Sequence, residues 1–424
     1  KLRENVGRLS VEDAINGFDD DFHTGYYTGL DMHTSAGYPF IKIQPPGSKG
    51  KSWLFDLDEE GKFHINNAEL ANRLMKREQK AKRGKRVPSV WMDVFKDELR
   101  PYKKVLEGKT RVITVGPIDF TILTKQYFGD FAASFYHKHN HWFSAVGIDP
   151  EGYEWTLLFQ DLSRMSDVGF DTDYSNFDGS LLAQLIFPLA DLITDWYGDG
   201  QYAIRRTLLH EICHTYHIMQ DLVFLTSCGH PSGNPLTVII NTLVNFLLFI
   251  IAWRLVIIQT RHLHDLNPTY LCFKENVAIK LYGDDNLAAV SRRAIKYFNC
   301  ISFSDALAPY GFVITPASKA SVKLEHKPIL ELQFLKRGFR PCSSNMRLHA
   351  TMDKDVIYDM PNWIRRSPNP RSMLIEKCSI SLSFAFHYGK EFYEDWLQQV
   401  NTALKAHNFP TFINDYDDLH FDFL

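Results

Sequence analysis

The segment 282–285, Tyr-Gly-Asp-Asp, places two adjacent carboxylates between two short apolar runs. The runs, 277–281 and 287–290, have the length and composition of β-strands, and a glycine between such runs is typical of a hairpin turn. The sequence therefore predicts an antiparallel pair of strands whose four-residue loop carries Asp284 and Asp285. Because like charges this close repel each other, the loop needs either full solvation or a cation between its carboxylates.

A further carboxylate elsewhere in the chain bears on the choice between a solvated turn and a metal site. Residues 168–173 have the composition of another strand, which ends at Asp173, and Asp178 follows five residues later. A strand end followed by a turn aims Asp173 at the hairpin tip, whereas Asp178 points elsewhere. Carboxylate oxygens favour Mg²⁺ or Mn²⁺ over Zn²⁺. Asp173 and the two hairpin aspartates are therefore candidate ligands of a hard divalent ion.

The longest apolar stretch, 236–253, is just long enough to cross a bilayer. Its polar members Thr237, Asn241 and Asn245 fall four residues apart, on one helical face, where lipid would penalise them. We therefore expect a buried helix with a polar face, and no membrane segment of the chain's own. The Asn-Pro pair at 234–235 has the pattern of a capping residue followed by the first helical residue.

The rest of the pattern alternates strands with helices. After the hairpin, we expect a helix over 291–309, strands over 311–315 and 329–334, and a helix over 392–406. Such alternation predicts an α/β or α+β core with two flanking parts, and 424 residues favour two or three subdomains. The six cysteines show no CxxC spacing, which disfavours a disulfide framework or a Cys-rich zinc site and suits a reducing compartment.

Positive charge is concentrated in 73–111, which holds fourteen Lys/Arg and five Asp/Glu, a local charge of +9. Since the whole chain has a formal charge of −3, the remainder carries −12. A basic block within an acidic protein is typical of phosphate binding. For 73–86 taken alone, a solvated charged helix is the alternative.

Seven segments, in order, resemble the motifs of viral RNA-dependent RNA polymerases. Asp173 with Asp178 resembles motif A, Ser-Gly-Asn at 232–234 with Thr237 and Asn241 motif B, and 282–285 motif C. Residues 34–39 resemble a template-contacting fingers motif of the picornavirus-like group, and residues 96–100 together with 108–111 resemble the basic motif of the nucleotide channel. Residues 315–319 resemble motif D, and residues 334–337 resemble the primer-grip motif E. The resemblance covers about 24–340 and implies a picornavirus-like positive-strand RNA virus.

The fold implied by this resemblance is α+β, a right-hand polymerase with fingers, a palm bearing an antiparallel sheet, and a thumb. The implied boundaries are 1–130 for the fingers, 131–210 for the palm with motif A, 211–229 for a fingers insertion, 230–340 for the palm with motifs B to E, and 341–424 for the thumb.

The activity implied is template-directed addition of ribonucleoside monophosphates to an RNA 3′-hydroxyl by a mechanism with two Mg²⁺ ions, for which Mn²⁺ can substitute. Asp173 and Asp284 are expected to bridge both ions, with Asp285 as a supporting ligand. Lys319 is the candidate general acid for pyrophosphate, because a lysine can donate a proton if its pKa falls near the operating pH. A solvated surface lysine is the alternative for Lys319.

The nucleotide and RNA contacts are implied residue by residue. Guanidinium binds phosphate in a bidentate manner, and buried polar groups matched to a 2′-hydroxyl reject deoxyribose. The residues are Lys96, Arg100, Lys109 and Arg111 for the triphosphate; Asp178, Ser232, Thr237 and Asn241 for the ribose; and Thr34, Ser35, Gly233, Lys336 and Arg337 for RNA. Asn245 is expected to be structural.

The family resemblance also implies partners and a location. RNA template and primer and the nucleoside triphosphates would be its substrates, and a small protein primer and other viral replication proteins its partners. Replication would take place in the host cytoplasm, in membrane-associated replication complexes.

A competing pattern is His-Glu-x-x-His at 210–214, the zinc-metalloprotease signature, with His217 as a possible third imidazole. The extended signature fails because position 220 is glutamine. The alternating histidines of 137–141 are expected to form the polar edge of a strand. Two further alternatives are a reverse transcriptase, disfavoured by the ribose-reading residues, and a non-catalytic RNA-binding protein, disfavoured by the metal carboxylates.

Overall fold

The computed structural model describes residues 6–18, 27–100, 102–317, 323–342, 346–364, 367–417 and 419. Within them the α-helices are α1 Val11–Asn16, α2 Ala68–Lys82, α3 Tyr102–Leu106, α4 Ile118–His137, α5 Glu154–Met165, α6 Phe177–Ser180, α7 Ala183–Tyr197, α8 Tyr202–Cys213, α9 Thr237–Gln259, α10 Tyr270–Asn276, α11 Cys300–Leu307, α12 Lys354–Asp359, α13 Pro370–Phe386 and α14 Lys390–Ala406. The strands are β1 Phe55–Leu57, β2 Phe63–Ile65, β3 Val90–Phe95, β4 Val112–Val115, β5 Val168–Tyr174, β6 Tyr216–Met219, β7 Leu222–Leu225, β8 Val277–Tyr282, β9 Asp285–Val290, β10 Ile314–Pro316, β11 Lys327–Pro328, β12 Arg337–Pro341 and β13 Leu348–Met352.

The central sheet has the strand order β10-β5-β9-β8, and β11 also pairs with β5. Every pairing in it is antiparallel. Helices α9 and α11 cover one face, where the ring of Phe170 stacks 6.1 Å from that of Phe249. Helix α5 covers the other face, with Trp155 and Leu287 in a separate apolar cluster. Because both faces are covered, the strands consist mainly of buried residues.

The predicted hairpin and the strand before Asp173 are confirmed as β8, β9 and β5. The loop of the hairpin is shorter than predicted, because Tyr282 and Asp285 already pair with each other and only Gly283 and Asp284 remain in the turn. Gly283 has φ +63°, a backbone conformation that residues other than glycine rarely adopt. The tight turn leaves Asp284 at the tip and makes Asp285 the first residue of a strand.

The long helix α9 begins at Thr237, so the predicted start at 234–235 is wrong. The turns of 232–236 dock against β4, and this tertiary contact overrides the local capping pattern. Among the described residues, α9 is the one helix long and apolar enough to cross a membrane, and most of it is buried in the protein. The expected buried helix is therefore confirmed.

A second sheet has the order β4-β3-β6-β7, in which β3 is antiparallel to β4 and parallel to β6. The β6–β7 hairpin thus joins strands that precede it by more than a hundred residues. Behind this sheet, the buried Arg77 of α2 binds Asp119 at 3.0 Å and Glu211 at 2.6 Å. The basic segment 73–86 is therefore only partly a solvated helix, since one of its guanidinium groups is a buried link between α2, α4 and α8.

The segment after β13 forms its own core, in which Leu382, Tyr393 and Val400 are buried between α13 and α14. The expected helix over 392–406 is confirmed as part of α14. One contact of this unit with the rest of the chain is made by Glu151, whose carboxylate lies 2.5 Å from His387 Nε2.

Three expected elements differ from the prediction. The helix expected over 291–309 is limited to α11 and a following turn, because the side chain of Asn299 caps the helix at Cys300. The strand expected over 329–334 is a short 3₁₀ turn, Ile329–Glu331. The histidines of 137–141 lie at the end of α4 and in a 3₁₀ turn, because the apolar period of α4 continues to His137.

Candidate active site

The two metal-site segments meet at one end of the central sheet. Thr172 of β5 pairs with Asn286 of β9, so in the antiparallel register the next residues, Asp173 and Asp285, lie opposite each other. Asp284 follows in the adjoining turn. The sheet thereby brings together Asp173, Asp284 and Asp285, which we call the carboxylate cluster.

Helix α9 fixes the position of the turn between β8 and β9. Asn245 Nδ2 donates to the carbonyls of Gly283 at 3.0 Å and Asp284 at 3.2 Å, while its Oδ1 accepts from the Tyr174 hydroxyl at 3.0 Å. Thr242 Oγ1 accepts from the Gly283 amide at 2.8 Å. These bonds agree with a structural role for Asn245, which joins the end of β5 to the turn.

The carboxylate cluster is electrostatically frustrated. Burial, together with the charges of Asp284 and Asp173, raises the pKa of Asp285 to about 7, and Lys336 opposes this only in part. Burial and the charges of Asp173 and Asp178 also raise the pKa of Asp284. A raised pKa means that the environment disfavours the charged form, so a cation would stabilise the cluster.

The donor set of the cluster fits a hard divalent ion, because it consists of carboxylate oxygens whose mutual repulsion a cation relieves. In the described part of the chain, no three His, Cys, Asp or Glu side chains have the spacing of an assembled metal site. The cluster therefore has the charge of a cation site without the spacing of a closed one.

Beside the cluster lies a pair that we call the ribose pair, Asp178 and Asn241. Asn241 Nδ2 donates to Asp178 Oδ1 at 2.7 Å, and Asn241 Oδ1 lies 2.7 Å from His230 Nε2. Burial alone would raise the pKa of Asp178, but the hydrogen bonds and charge supplied by His230 and Asn241 outweigh it and lower the pKa. Asp178 is thus held as a half-buried carboxylate that accepts hydrogen bonds.

The loop before α9 is attached to β4. Ser232 Oγ accepts from the backbone amide of Thr114 at 3.2 Å, and a Cβ on Gly233 would lie 1.9 Å from the Thr114 carbonyl oxygen. Thr237 Oγ1 donates to the carbonyls of Asn234 at 2.8 Å and Ser232 at 3.1 Å. In these contacts Ser232 and Thr237 shape the loop, whereas Asn241 donates a hydrogen bond to Asp178.

Three of the four predicted triphosphate residues converge on one carboxylate. Both Arg111 and Arg100 approach Glu98, with Arg111 Nε at 2.5 Å and Arg100 Nε at 3.4 Å. Lys96 Nζ lies 3.6 Å from the same carboxylate. The hydrogen bond from Arg111 leads the effects that lower the pKa of Glu98 to about 2, with the charges of Lys96 and Arg100 adding to it. We call these four residues the Glu98 cluster.

Lys109 is the exception among the four. Its Nζ pairs with Glu107 at 2.8 Å, while the Lys109 backbone carbonyl accepts from Arg100. The Lys109 side chain is therefore directed away from the Glu98 cluster.

The two predicted template residues lie in an exposed loop near the second sheet. Thr34 Oγ1 donates to the Asp31 carbonyl at 2.9 Å, and Ser35 Oγ accepts from the Gly37 amide at 3.1 Å. The loop is anchored where the amide of Ile118 donates to the carbonyl of Ala36 at 3.0 Å. This places Thr34 and Ser35 beside the connection between β4 and α4.

Lys336 and Arg337 diverge although they are adjacent. Lys336 is exposed, has φ +60°, and its charge reaches Asp285. Arg337, by contrast, is largely buried, pairs with Glu151 at 2.7 Å and lies over the ring of Phe384. The structure thus brings Lys336 toward the carboxylate cluster and commits Arg337 to the junction with the C-terminal unit. Lys319 lies outside the described residues.

The His-Glu-x-x-His segment does not assemble a metalloprotease site. The carboxylate of Glu211 is buried, accepts from Ser89 Oγ at 2.8 Å and binds Arg77 at 2.6 Å. It is therefore committed to a structural network rather than directed at a reaction site.

The three histidines of that pattern do not converge on one point, although the rings of His210 and His214 lie 4.7 Å apart. Because α8 ends at Cys213, His214 lies beyond the helix, and the ring of His210 stacks on Phe187. His217 belongs to β6 and contacts Asp93 at 3.0 Å. The zinc-protease alternative therefore finds no support in the geometry.

Two contributors to the site were missed by the sequence prediction, His230 and Glu98. His230 directly precedes the Pro-Ser-Gly of the α9 loop, so its position within a recognised motif was a usable signal. Glu98 stands inside the basic motif itself, where an acidic residue among phosphate-binding residues was a second signal.

Comparison with protein families gives a match over residues 20–405 to the model described as viral RNA-dependent RNA polymerase. The genome polyprotein of rice tungro spherical virus, strain Vt6, is 33% identical over 97% of this chain, and the RNA1 polyprotein of tomato ringspot virus is 33% identical over 90%. The genome polyprotein of deformed wing virus is 30% identical over 91%. This chain spans 12%, 17% and 13% of those polyproteins, respectively.

Among solved structures, the protein described as Sicinivirus 3Dpol RNA dependent RNA polymerase superposes with a TM-score of 0.77 at 25% sequence identity. The match covers 98% of this chain and 80% of that one. Both the whole-chain fold and the sequence are thus similar to those of one class of protein.

Proposed function

The chain belongs to the viral RNA-dependent RNA polymerases of picorna-like viruses, and from this premise we propose that it adds ribonucleoside monophosphates to an RNA 3′-hydroxyl on an RNA template, replicating a positive-strand genome. The observation that carries the proposal is the proximity of the carboxylate cluster to the ribose pair. A Cβ on Gly283, in the turn of the cluster, would lie 3.9 Å from the Cβ of Asn241, and the charge of Asp178 contributes to the raised pKa of Asp284. Divalent-ion and sugar chemistry are thereby available at one place. The right-hand fold of the family accommodates both.

We propose that Asp173 and Asp284 would hold the two divalent ions, with Asp285 as a supporting ligand. The raised pKa values of Asp284 and Asp285 support this, because a site built for bound cations is repulsive when only its carboxylates are counted. When bound, two Mg²⁺ ions, or Mn²⁺ in their place, supply activation of the primer hydroxyl and neutralisation of the pyrophosphate. The chain's own part is to hold the three carboxylates level, through the β5–β9 register and Asn245.

Sugar selection is assigned to the ribose pair. Asp178 is kept ionised by its neighbours and is half-buried, so it can accept a hydrogen bond from a 2′-hydroxyl. A deoxyribose would leave this desolvated carboxylate without that partner, which is the physical basis of strong discrimination. Ser232 and Thr237 act through the shape of the loop.

Triphosphate binding is assigned to Lys96, Arg100 and Arg111, with Lys109 at the margin. Arg111 carries the most weight, since its exposed guanidinium remains charged and binds two oxygens at once. Its present partner Glu98 already shows that bidentate geometry. An incoming triphosphate would compete with Glu98 for these cations.

RNA contacts are assigned to Thr34, Ser35 and Gly233 on the template side and to Lys336 on the primer side. Arg337 is a weaker candidate because of its pairing with Glu151. Lys319 is proposed as the general acid for pyrophosphate, an assignment that rests on its position in the motif D pattern.

The partners and location follow from the same premise. The relatives are viral polyproteins, of which this chain matches a segment of 12% to 19%, and this supports the presence of other viral proteins released with this one. We propose a small protein primer among them, and action in membrane-associated complexes of the host cytoplasm.

A primer-extension assay with the purified chain tests the function. We expect extension with Mg²⁺, ribonucleotides and an RNA template, and its loss in Asp284→Ala with RNA binding retained. DNA synthesis from deoxyribonucleotides would instead indicate a reverse transcriptase, and binding without extension a non-catalytic RNA-binding protein. Residual turnover of Asp284→Ala within about tenfold of wild type would remove Asp284 from the metal site.

A further inference from the structure

His230 adjoins the ribose pair but has no assigned function there. Its side chain is fully buried, and its Nε2 lies 2.7 Å from Asn241 Oδ1 and 3.5 Å from Asp178 Oδ1. Its Nδ1 is also buried and has no hydrogen-bond partner in the part of the chain that the structure describes. Within that part, the imidazole therefore makes its hydrogen bond through Nε2, on the side of the ribose pair.

The hydrogen-bond pattern fixes which way the Asn241 amide points. The pKa of Asp178 is lowered, so its carboxylate is ionised and can only accept. The Asn241 NH₂ must therefore face Asp178, which turns its carbonyl oxygen toward His230. For that contact to be a hydrogen bond, Nε2 of His230 has to be the donor. With the amide reversed, oxygen would face carboxylate and NH₂ would face N–H, so both contacts would become repulsive.

The backbone holds His230 in this position. Its amide donates to the carbonyl of Asp178 at 3.0 Å, and the preceding amide, of Gly229, donates to the carbonyl of Leu181 at 2.7 Å. A Cβ on Gly229 would lie 2.6 Å from the Asp178 carbonyl oxygen. The main chain around His230 is thus docked directly on the segment that carries Asp178, and side chain and backbone act on the same residue.

We propose that His230 is a positioning residue for sugar selection, whose Nε2–H locks the Asn241 amide and so presents the Asp178 carboxylate to the 2′-hydroxyl of an incoming ribonucleotide. The inference rests on the proposed polymerase function and deepens it. Without the donor at Nε2, the amide can rotate, Asp178 loses a fixed partner, and the difference between ribose and deoxyribose at that carboxylate shrinks.

The test compares kcat/KM for a ribonucleotide with that for its 2′-deoxy counterpart, on one RNA template-primer. We expect His230→Leu to lower the ratio about tenfold, the effect of one hydrogen bond that orients a polar group. His230→Gln, whose amide N–H can reach the place of Nε2, should restore most of the ratio. His230→Asn carries the same group one methylene short and should not.

His139 supplies the matched control. It is equally buried and bonds to the Tyr136 carbonyl at 2.6 Å and Glu154 at 2.9 Å, away from the ribose pair. His139→Leu should therefore lower thermal stability without changing the sugar ratio.

The outcomes separate this inference from the proposed function. If the wild-type chain does not extend RNA, the polymerase proposal itself fails. If it does, and His230→Leu keeps the wild-type ratio, the positioning function is wrong. Should His230→Leu not fold, the pair His230→Gln and His230→Asn decides: equal ratios in the two variants would overturn the inference.

Discussion

The carboxylate cluster and the Glu98 cluster differ in how their charge is compensated. In the carboxylate cluster, like charges face one another in a partly buried place, and the pKa of Asp285 is raised to about 7. In the Glu98 cluster, three cations share one internal carboxylate, whose pKa is lowered to about 2. Within the described residues, Lys336 offsets the repulsion at the first site only in part, whereas the carboxylate of the second site is already paired with cations. A ligand therefore relieves strain at the first but must displace a resident group at the second.

The sharpest way to break this comparison is to remove a charge from the carboxylate cluster. We expect Asp173→Asn to lower extension about a thousandfold or more, the scale of losing metal-based charge stabilisation. The melting temperature without metal should stay the same or rise, because one source of repulsion is removed. Primer-extension rates and thermal melts check both parts.

Asp167→Asn is the matched control for that prediction. Asp167 directly precedes β5, is exposed and pairs with Arg292 at 2.5 Å, at the opposite end of that strand from Asp173. It should keep extension near the wild-type level. Extension by Asp173→Asn within tenfold of the wild-type rate would contradict the assignment of Asp173.

The Glu98 cluster gives the next largest effect. Arg111→Ala should raise the KM for nucleoside triphosphate about ten- to a hundredfold, with a smaller change in kcat, since a bidentate charged contact is lost. Lys109→Ala should have the smaller effect of the two, because Lys109 pairs with Glu107. Equal KM values in the two variants would mean that convergence on Glu98 does not mark the triphosphate grip.

The pH dependence of the carboxylate cluster comes third. The folded-state pKa of Asp285, about 7, exceeds its usual value, so the folded state binds more protons than the unfolded state between about pH 4 and 7. The stability that this proton provides is present at low pH and is lost as the pH rises through about 7. Melting temperatures of metal-free protein should fall across that window, and the slope should be weaker in Asp285→Asn.

The affinity of the carboxylate cluster for Mg²⁺ should depend on pH for the same reason. A proton on Asp285 competes with the ion, so the apparent affinity for Mg²⁺ should weaken by up to about tenfold for each pH unit below 7. Calorimetric titrations at two pH values measure this. A pH-independent affinity would indicate that Asp285 is not a ligand.

The smallest effect is expected from freeing the cations. Glu98→Gln should lower the KM for triphosphate by a few fold at low salt, because the incoming phosphates no longer compete with a carboxylate, and the gain should fade as salt screens the charges. Glu107→Gln, which frees Lys109 instead, is the control. A raised KM in Glu98→Gln would show that Glu98 orients the cations rather than competing with phosphate for them.

Local patterns in the sequence predicted the parts of the site that lie within one element. The strands on either side of the turn and the polar face of α9 followed from periodicity and turn chemistry, and the motif order indicated the right-hand fold. The contacts that join elements did not follow. His230 and Asp178 are 52 positions apart, so nothing local indicates that they meet. The predicted start of α9 was wrong for the same reason, since the loop before α9 is held by β4.

Adjacent residues showed a second limit. Lys336 and Arg337 look alike in sequence, and both were predicted to touch the primer. A turn with positive φ at Lys336 sends one toward Asp285 and the other into a buried pair with Glu151. The direction of a side chain at such a turn depends on a backbone conformation that residue type alone does not specify.

The attachment of the α9 loop to β4 has a consequence for how this protein can evolve. The loop carries His230 at one end and meets the Thr114 backbone through Ser232 and Gly233 at the other, while β4 begins directly after Arg111. Any side chain at position 233 must displace β4, the strand that directly follows Arg111. Changes in sugar recognition and phosphate binding therefore cannot accumulate independently, and pairs of substitutions across this junction should be epistatic rather than additive.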